Sequence, residues 1–375
     1  MTRTLGLVSL AALLAPTARA GFPGQNGRIA FTSDRDGNEE IYSMRADGSD
    51  ETNLTDDPAT DFQPAWSPDG TRILFTSDRD SSGLWDVFVM DADGSNVVNL
   101  TENAALDWTP AWSADGTQIA FTSTRSGGTE IWVMDADGSN AVQLTDNEFY
   151  DRHPKWSPDG AEIAFESYRD DNWEILVMDA DGSNERQLTI NTEVYDFEPD
   201  WSPDSTQIAW RTGAVDGVGD IAVMTADGDD QTVLTTEPTY DREPTWSPDG
   251  TQIAFASVQT SNFDIRVMDA DGASPTSLTS DSGNDYDPDW QAVTETSTLS
   301  VSKAGAGRGT VRSRPAGILC GRDCSEDFAD GDVVRLRATA ATGSTFTGWS
   351  GDCTGTGACV VTIDGPMDVT ATFTR

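Results

Sequence analysis

Six aspartates recur along the chain at intervals of 44–46 residues: Asp61, Asp107, Asp151, Asp196, Asp241 and Asp285. Each stands three residues before a proline and five before a tryptophan, as in the run D-F-Q-P-A-W from Asp61 to Trp66. Six carboxylates brought onto one axis would repel one another and hold their protons above the usual range, unless a cation or basic group compensated them. Hard cations such as Ca²⁺ take carboxylate oxygens, so a cation or a basic protein segment is a physically sensible occupant; no cofactor is called for, Ca²⁺ being the one candidate. Taken singly, each aspartate could instead cap its own loop by accepting backbone N–H bonds.

Other chemistry is thinner. A second acidic position recurs at Glu40, Asp86, Glu130, Glu174, Asp220 and Asp264, and in four repeats an arginine stands nearby, Arg35, Arg79, Arg125 or Arg169. An ion pair across that loop is the expected role of both. The run D-A-D-G-S-N from Asp91 to Asn96 resembles a calcium loop only superficially, because the later glutamate is missing, and it reads better as a hairpin turn. His153 is the single histidine, which excludes a multi-histidine zinc site. It occupies a repeat position held elsewhere by Gln63, Thr109, Glu198, Glu243 and Asp287, as a variable residue would. There is no G-x-S-x-G elbow, and the glycine-rich turns lack the lysine of a phosphate loop. The enzymatic alternative is a polysaccharide- or peptide-processing hydrolase or lyase that works with carboxylates alone.

These residues sit on a repeating frame. The Pro-x-Trp run is followed by Ile-x-aromatic, then by a run ending in methionine, then by Leu-Thr, with Gly in tight turns between them. Four β-branched and aromatic runs per repeat predict a four-stranded antiparallel meander, and a period of 44–46 residues matches one propeller blade. Residues 26–55 lack the Pro-x-Trp strand, whereas residues 285–293 supply only that strand. The fold expected is all-β: a six-bladed propeller over residues 21–293 whose last strand closes the first blade. Closure removes the free inner edge that the first blade would otherwise present.

The motifs P-x-W-S-P-D-G, I-A-F, I-x-V-M-D-A-D-G-S and L-T resemble those of the TolB-type propeller (a WD40-like, PD40 repeat) over about residues 22–293. That resemblance implies that the Pro-x-Trp strand is innermost and that the six aspartates face the channel mouth as ligand-binding residues. After a linker at 294–297, residues 298–375 lose the repeat. The phrases G-T-V-R-S-R-P-A-G-I-L-C, F-T-G-W-S-G-D-C and V-T-A-T-F resemble the bacterial internalin B-repeat-like module, which implies a small β-domain with a surface or adhesion role. All four cysteines lie here; disulfides are favoured over a zinc site, and the local pairs Cys320–Cys324 and Cys353–Cys359 over the other two of the three connectivities four cysteines permit.

Residues 1–20 read as a secretory signal, with Arg3, an apolar run from Leu5 to Leu14, and the small-x-small run Ala18-Arg19-Ala20. No later stretch is apolar enough to span a bilayer, so a secreted, periplasmic or cell-envelope location is expected, without a transmembrane segment. The signal holds two arginines and residues 298–375 balance eight cations against eight carboxylates. Gly21–Ser297 therefore carries 13 basic and 56 acidic residues, a net of −43. Such a field repels phosphate backbones and excludes nucleic acid as the natural partner. The function expected is a monomeric, exported, non-catalytic binding or scaffold protein that offers an acidic channel mouth to a protein segment or cation.

Overall fold

The computed structural model describes residues 24–375 except 81–82, 214–218, 237, 259–260, 294–295, 315–316, 321–323, 330–332 and 364. The predicted signal at 1–20 lies outside the described residues. The chain divides into two compact units, Met1–Val293 and Thr294–Arg375.

The first unit is built from six four-stranded antiparallel sheets. The second blade shows the pattern: Asp61–Trp66 innermost, then Arg72–Ser77, Asp86–Asp91 and the two-residue outer strand Val98–Asn99. Blade 1 is assembled from both ends, with Asp285–Val293 pairing antiparallel to Gln25–Ser33. The sequence expectation of a six-bladed propeller closed by its last strand is met.

The core lies between blades. Ala65, Leu74, Val87 and Val89 of blade 2 pack on Trp112, Ile119, Phe121 and Met134 of blade 3, and five like clusters fill the other seams. Each fully buried Ile or Phe contributes about 1.5–3 kcal/mol relative to exposure, so the ring is held by six apolar seams. The D-A-D-G turns join the same seams. Gly94 has φ near 84°, and a Cβ there would lie 2.3 Å from the Leu54 carbonyl oxygen of the preceding blade. Asp93 accepts the Ser95 N–H at 3.0 Å, which closes the turn.

One irregularity recurs in every inner strand. The pairing slips between Phe62 and Ala65, Trp108 and Ala111, Arg152 and Lys155, Phe197 and Asp200, and Arg242 and Thr245, with the same slip near Asp287. The proline in the slip has no N–H to give to the ladder, so pairing must break there. The residue before it adopts φ of 50–56° at Gln63, Thr109, His153, Glu198, Glu243 and Asp287. Left-handed backbone at a non-glycine residue costs about 1–3 kcal/mol and persists only where surroundings over-determine it.

The second unit is a pair of four-stranded sheets. One contains Thr296–Ala304, Ser325–Ala329, Thr345–Gly351 and Met367–Thr374; the other contains Gly309–Arg314, Leu319–Cys320, Val333–Ala340 and Cys359–Thr362. A strand therefore already begins at Thr296, inside the stretch expected to be linker. Between the sheets lies a core around Leu299, Val311, Leu336, Trp349 and Phe373. Cys320 pairs with Cys324 and Cys353 with Cys359, as expected. Among the described residues no helix is long and apolar enough to cross a membrane.

Candidate binding site in the channel mouth

The six recurrent aspartates open the inner strands, yet they do not line the channel. Their side chains are 0–2% exposed and are held within or beside their own blades. Arg79 donates to Asp61 at 2.5 Å, Arg125 to Asp107 at 2.7 Å and Arg35 to Asp285 at 2.9 Å, while Arg169 stands 4.0 Å from Asp151. Ser167 and Ser257 donate to Asp151 and Asp241, and the Trp210 indole donates to Asp196 at 2.9 Å. Burial pushes Asp61, Asp151 and Asp196 above the usual carboxylate range and Asp285 up to about 6, against the lowering effect of these donors.

The arginines correct a second expectation. They do not bridge to Glu40, Asp86, Glu130 or Glu174, which instead accept hydrogen bonds from the threonine of each Leu-Thr pair: Thr55, Thr101, Thr145 and Thr189. Strand register causes the exchange. Asp61 pairs with Ser77, which brings Arg79, two residues on, over the aspartate.

The channel is lined by the residues two places further along each inner strand. Gln63, Thr109, His153, Glu198, Glu243 and Asp287, with the prolines after them and Lys155, surround a cavity of about 70 Å³. A deeper cavity of about 40 Å³ follows, bounded by the six tryptophans and by Ala65, Ala111, Lys155, Asp200, Thr245 and Asp289. Lys155 borders both.

The left-handed residues form a relay around the axis. The Thr109 N–H donates to Gln63 Oε1 at 3.1 Å, the Glu243 N–H to Glu198 Oε2 at 2.9 Å, the Asp287 N–H to Glu243 Oε2 at 2.7 Å, and the Gln63 N–H to Asp287 Oδ2 at 3.3 Å. Where a side chain falls short, the neighbouring strand substitutes: Thr122 Oγ1 accepts the His153 N–H at 3.2 Å and Glu166 Oε2 the Glu198 N–H at 2.8 Å. Each amide exposed by the bulge is thus satisfied from the preceding blade, which is what holds the strained backbone.

The charge around this relay is lopsided. Blades 2 and 3 contribute only uncharged residues, among them Gln63, Thr109, Ala65 and Ala111, whereas blades 4, 5, 6 and 1 contribute every ionisable group. Burial raises Glu243 well above the usual range; Arg242, 3.3 Å away, pulls it down, while Asp287 and Glu198 add repulsion. Burial also raises Asp287 against Arg242, and pushes Asp289 up to about 6 against Lys155. Lys155 is raised because Asp289, Asp200 and Asp287 outweigh its burial. Burial acts upward on Glu166 too, but His153 and Arg152 overcome it and hold that carboxyl at about 2.

One residue before the relay, the strands carry Phe62, Trp108, Arg152, Phe197, Arg242 and Tyr286, and these build a rim. Arg152 stacks 4.0 Å over Trp173, Arg211 4.1 Å over Phe197, and Arg242 4.0 Å over Phe263. On the neutral side the rim is purely aromatic, with Phe62 edge-on to Trp85 at 5.2 Å and Trp85 edge-on to Trp108 at 6.4 Å. Trp85 is 39% exposed, the highest exposure of any aromatic in this rim. Among the described residues no group of three or more His, Cys, Asp or Glu side chains is placed to hold a metal ion.

Comparison with known proteins identifies the frame. The family model of the TolB beta propeller domain matches residues 15–84, 80–191 and 165–308. The chain belongs to the TolB β-propeller family. Its tail matches the divergent InlB B-repeat domain over residues 299–375. Within the TolB group, the Tol-Pal system protein TolB of Desulfosudis oleivorans is 42% identical over 60 residues, 16% of this chain and 14% of that protein. A TolB homologue of Chlorobium luteolum is 39% identical over 54 residues. The chain thus spans 12–14% of the lengths of these relatives. The crystal structure of TolB from Acinetobacter baumannii superposes with a TM-score of 0.63 at 22% identity, covering 72% of this chain and 68% of that one. Hydrazine synthase of Kuenenia stuttgartiensis gives a TM-score of 0.64 at 18% identity, covering 77% of this chain and 50% of that one. At these identities the structural likeness is one of fold.

The relay was not singled out as a site from sequence, although its positions are on view there as the variable residue before each Pro-x-Trp. The available signal was composition: three of the six are acidic and one is the single histidine.

Proposed function

We propose that this TolB-family chain is an exported, monomeric, non-catalytic binding propeller whose channel mouth receives a positively charged segment of a partner protein. The B-repeat-like tail adds surface association. The observation that carries the reading is the arc Glu198–Glu243–Asp287, where burial and mutual repulsion hold Glu243 and Asp287 above their usual range. An incoming lysine or arginine head relieves that repulsion, and the aromatic rim around Trp85 offers apolar contact to the stem behind it. Size supports binding over turnover. A cavity of about 70 Å³ accepts one side-chain end, whereas small-molecule pockets run to roughly 300–1,000 Å³. The reading of residues 1–20 as a signal and the Tol-Pal assignment of the Desulfosudis relative both favour an envelope location.

The test is affinity for short lysine-containing peptides, compared between the wild-type chain and the triple variant Glu198→Gln, Glu243→Gln, Asp287→Asn. The amides keep the oxygens that accept the relay N–H bonds, so the ring remains closed. Binding should fall at least ~30-fold, the effect of losing one desolvated charge pair. It should also tighten as pH rises, because the arc must shed its raised protons to pair with a cation. Equal binding by both proteins sinks the proposal. Turnover of a cell-wall glycan or peptide that the triple variant loses would establish the hydrolase or lyase reading instead.

A further inference from the structure

The tail separates its charges by sheet. The four strands Gly309–Arg314, Leu319–Cys320, Val333–Ala340 and Cys359–Thr362 contain four arginines and no carboxylate. Strand alternation puts Val311, Val334, Leu336 and Val361 in the core, and turns Arg312, Arg314, Arg335 and Arg337 to the open face, all exposed. The register then sets like charge against like charge: Arg312 lies directly opposite Arg337, and Arg314 opposite Arg335. Such pairs destabilise a sheet. Among the described residues none of the four takes part in an ion pair, and the Asp352 carboxylate accepts the Asp368 N–H at 2.7 Å instead. The arginines border an open groove of about 840 Å³ together with Ile318 and Leu319, and Leu319, Val333 and Val360 stand 41–58% exposed on the same sheet.

We propose that this face binds an extended acidic segment of a partner protein. Each cross-strand arginine pair is a fork that can hold one carboxylate between two guanidinium groups, in the planar geometry arginine favours. The two forks are one i, i+2 step apart, roughly 7 Å along the strand. A peptide in extended conformation presents its own side chains at that same step, so acidic residues at alternate positions fall on both forks together. The exposed Leu319, Val333 and Val360 cover the apolar parts of such a segment. No aromatic residue occurs in these four strands to stack on a sugar ring. A charged membrane plane would face the whole acidic chain, of net charge −41, whereas a single strand meets the arginines within a Debye length of about 8–10 Å. This inference stands on different residues from the channel reading and survives its failure.

The experiment uses the full chain and two fluorescent probes of equal charge, Ac-(Glu-Thr)4 and Ac-(Glu-Thr-Thr)4, in anisotropy titrations at low salt. The alternating peptide should bind about tenfold more tightly, because only it fills both forks. Arg312→Gln with Arg337→Gln, or Arg314→Gln with Arg335→Gln, should each remove that preference. Near-UV circular dichroism should stay unchanged, since exposed like-charge pairs are being relieved. Equal affinity for the two peptides overturns the proposal, as does a preference that the variants retain. Arginine-dependent binding to phosphatidylglycerol vesicles without peptide preference would reassign the face to membranes. Arginine-dependent dimerisation in sedimentation would reassign it to a second copy. Either outcome overturns the partner named here.

Discussion

Two recurrent positions lie two residues apart on each inner strand, and they have opposite fates. The first, from Asp61 to Asp285, is aspartate in all six blades and is buried, with an arginine, serine or indole donor nearby. The second, from Gln63 to Asp287, varies from blade to blade, is strained, and lines the channel. Uniformity marks what every blade needs in order to hold its own inner strand in place. Variation marks where the six-fold frame is released to build something asymmetric.

The largest expected effect tests the uniform ring. Asp61→Ala leaves Arg79, only 15% exposed, without its carboxylate and should cost about 3 kcal/mol in urea denaturation. A loss below about 1 kcal/mol would mean that this ring is not architectural.

The second effect reaches beyond the two rings because, of the three carboxyls pushed up to about 6, only Asp285 belongs to one of them. Asp86, Asp285 and Asp289 have folded values of about 6, above the ordinary carboxylate value near 4, so the folded state binds their protons more tightly than the unfolded state. Stability from these groups therefore rises as pH falls through about 6, and is complete below about 4. Glu166, held at about 2, works in the other direction and gives up its contribution below about 4. The melting temperature should climb by at least about 4 °C between pH 7 and 4.5, then turn down in stronger acid. A melting temperature that falls steadily from pH 7 would contradict the raised values.

The smallest effect separates the rings most cleanly. Glu243→Gln keeps an oxygen for the Asp287 N–H and removes repulsion from Asp287 and Glu198, at the expense of the contact with Arg242. Stability should change by less than about 1 kcal/mol. Destabilisation as large as that of Asp61→Ala would erase the distinction between the two positions.

The frame was legible from sequence because its signals repeat: the period, the Gly turns, and above all the phase offset that leaves residues 285–293 as a lone inner strand. The local cysteine pairs were the favoured one of three connectivities the sequence allowed, and the structure selects them. The identity of the channel-lining position was not. Asp61 stands one alternate step too early: the left-handed backbone at Gln63 and the slip between Phe62 and Ala65 turn Asp61 and Gln63, which an unbroken pleat would point the same way, in different directions. The proline was the visible cause, but its effect on facing depends on the partner strand. The partner of Arg79 was hidden for the same reason: its aspartate is 18 residues back in sequence and comes within reach only through the pairing of Asp61 with Ser77. The arginine face of the tail needed the register of two strands more than 20 residues apart.

The clasp strand gives the ring a timetable. Residues 285–293 are the last of the propeller to be made, yet two closures wait for them: the sheet edge of Gln25–Ser33, and the relay bond from the Gln63 amide to Asp287. Until then the earliest-made blade stays an open edge, and the seam between blades 6 and 1 has no tryptophan to fill it. A chain cut short of this strand is therefore not a propeller missing a piece. It is an unclosed arc with an unpaired sheet edge, open to aggregation and to proteolysis until the last strand is in place.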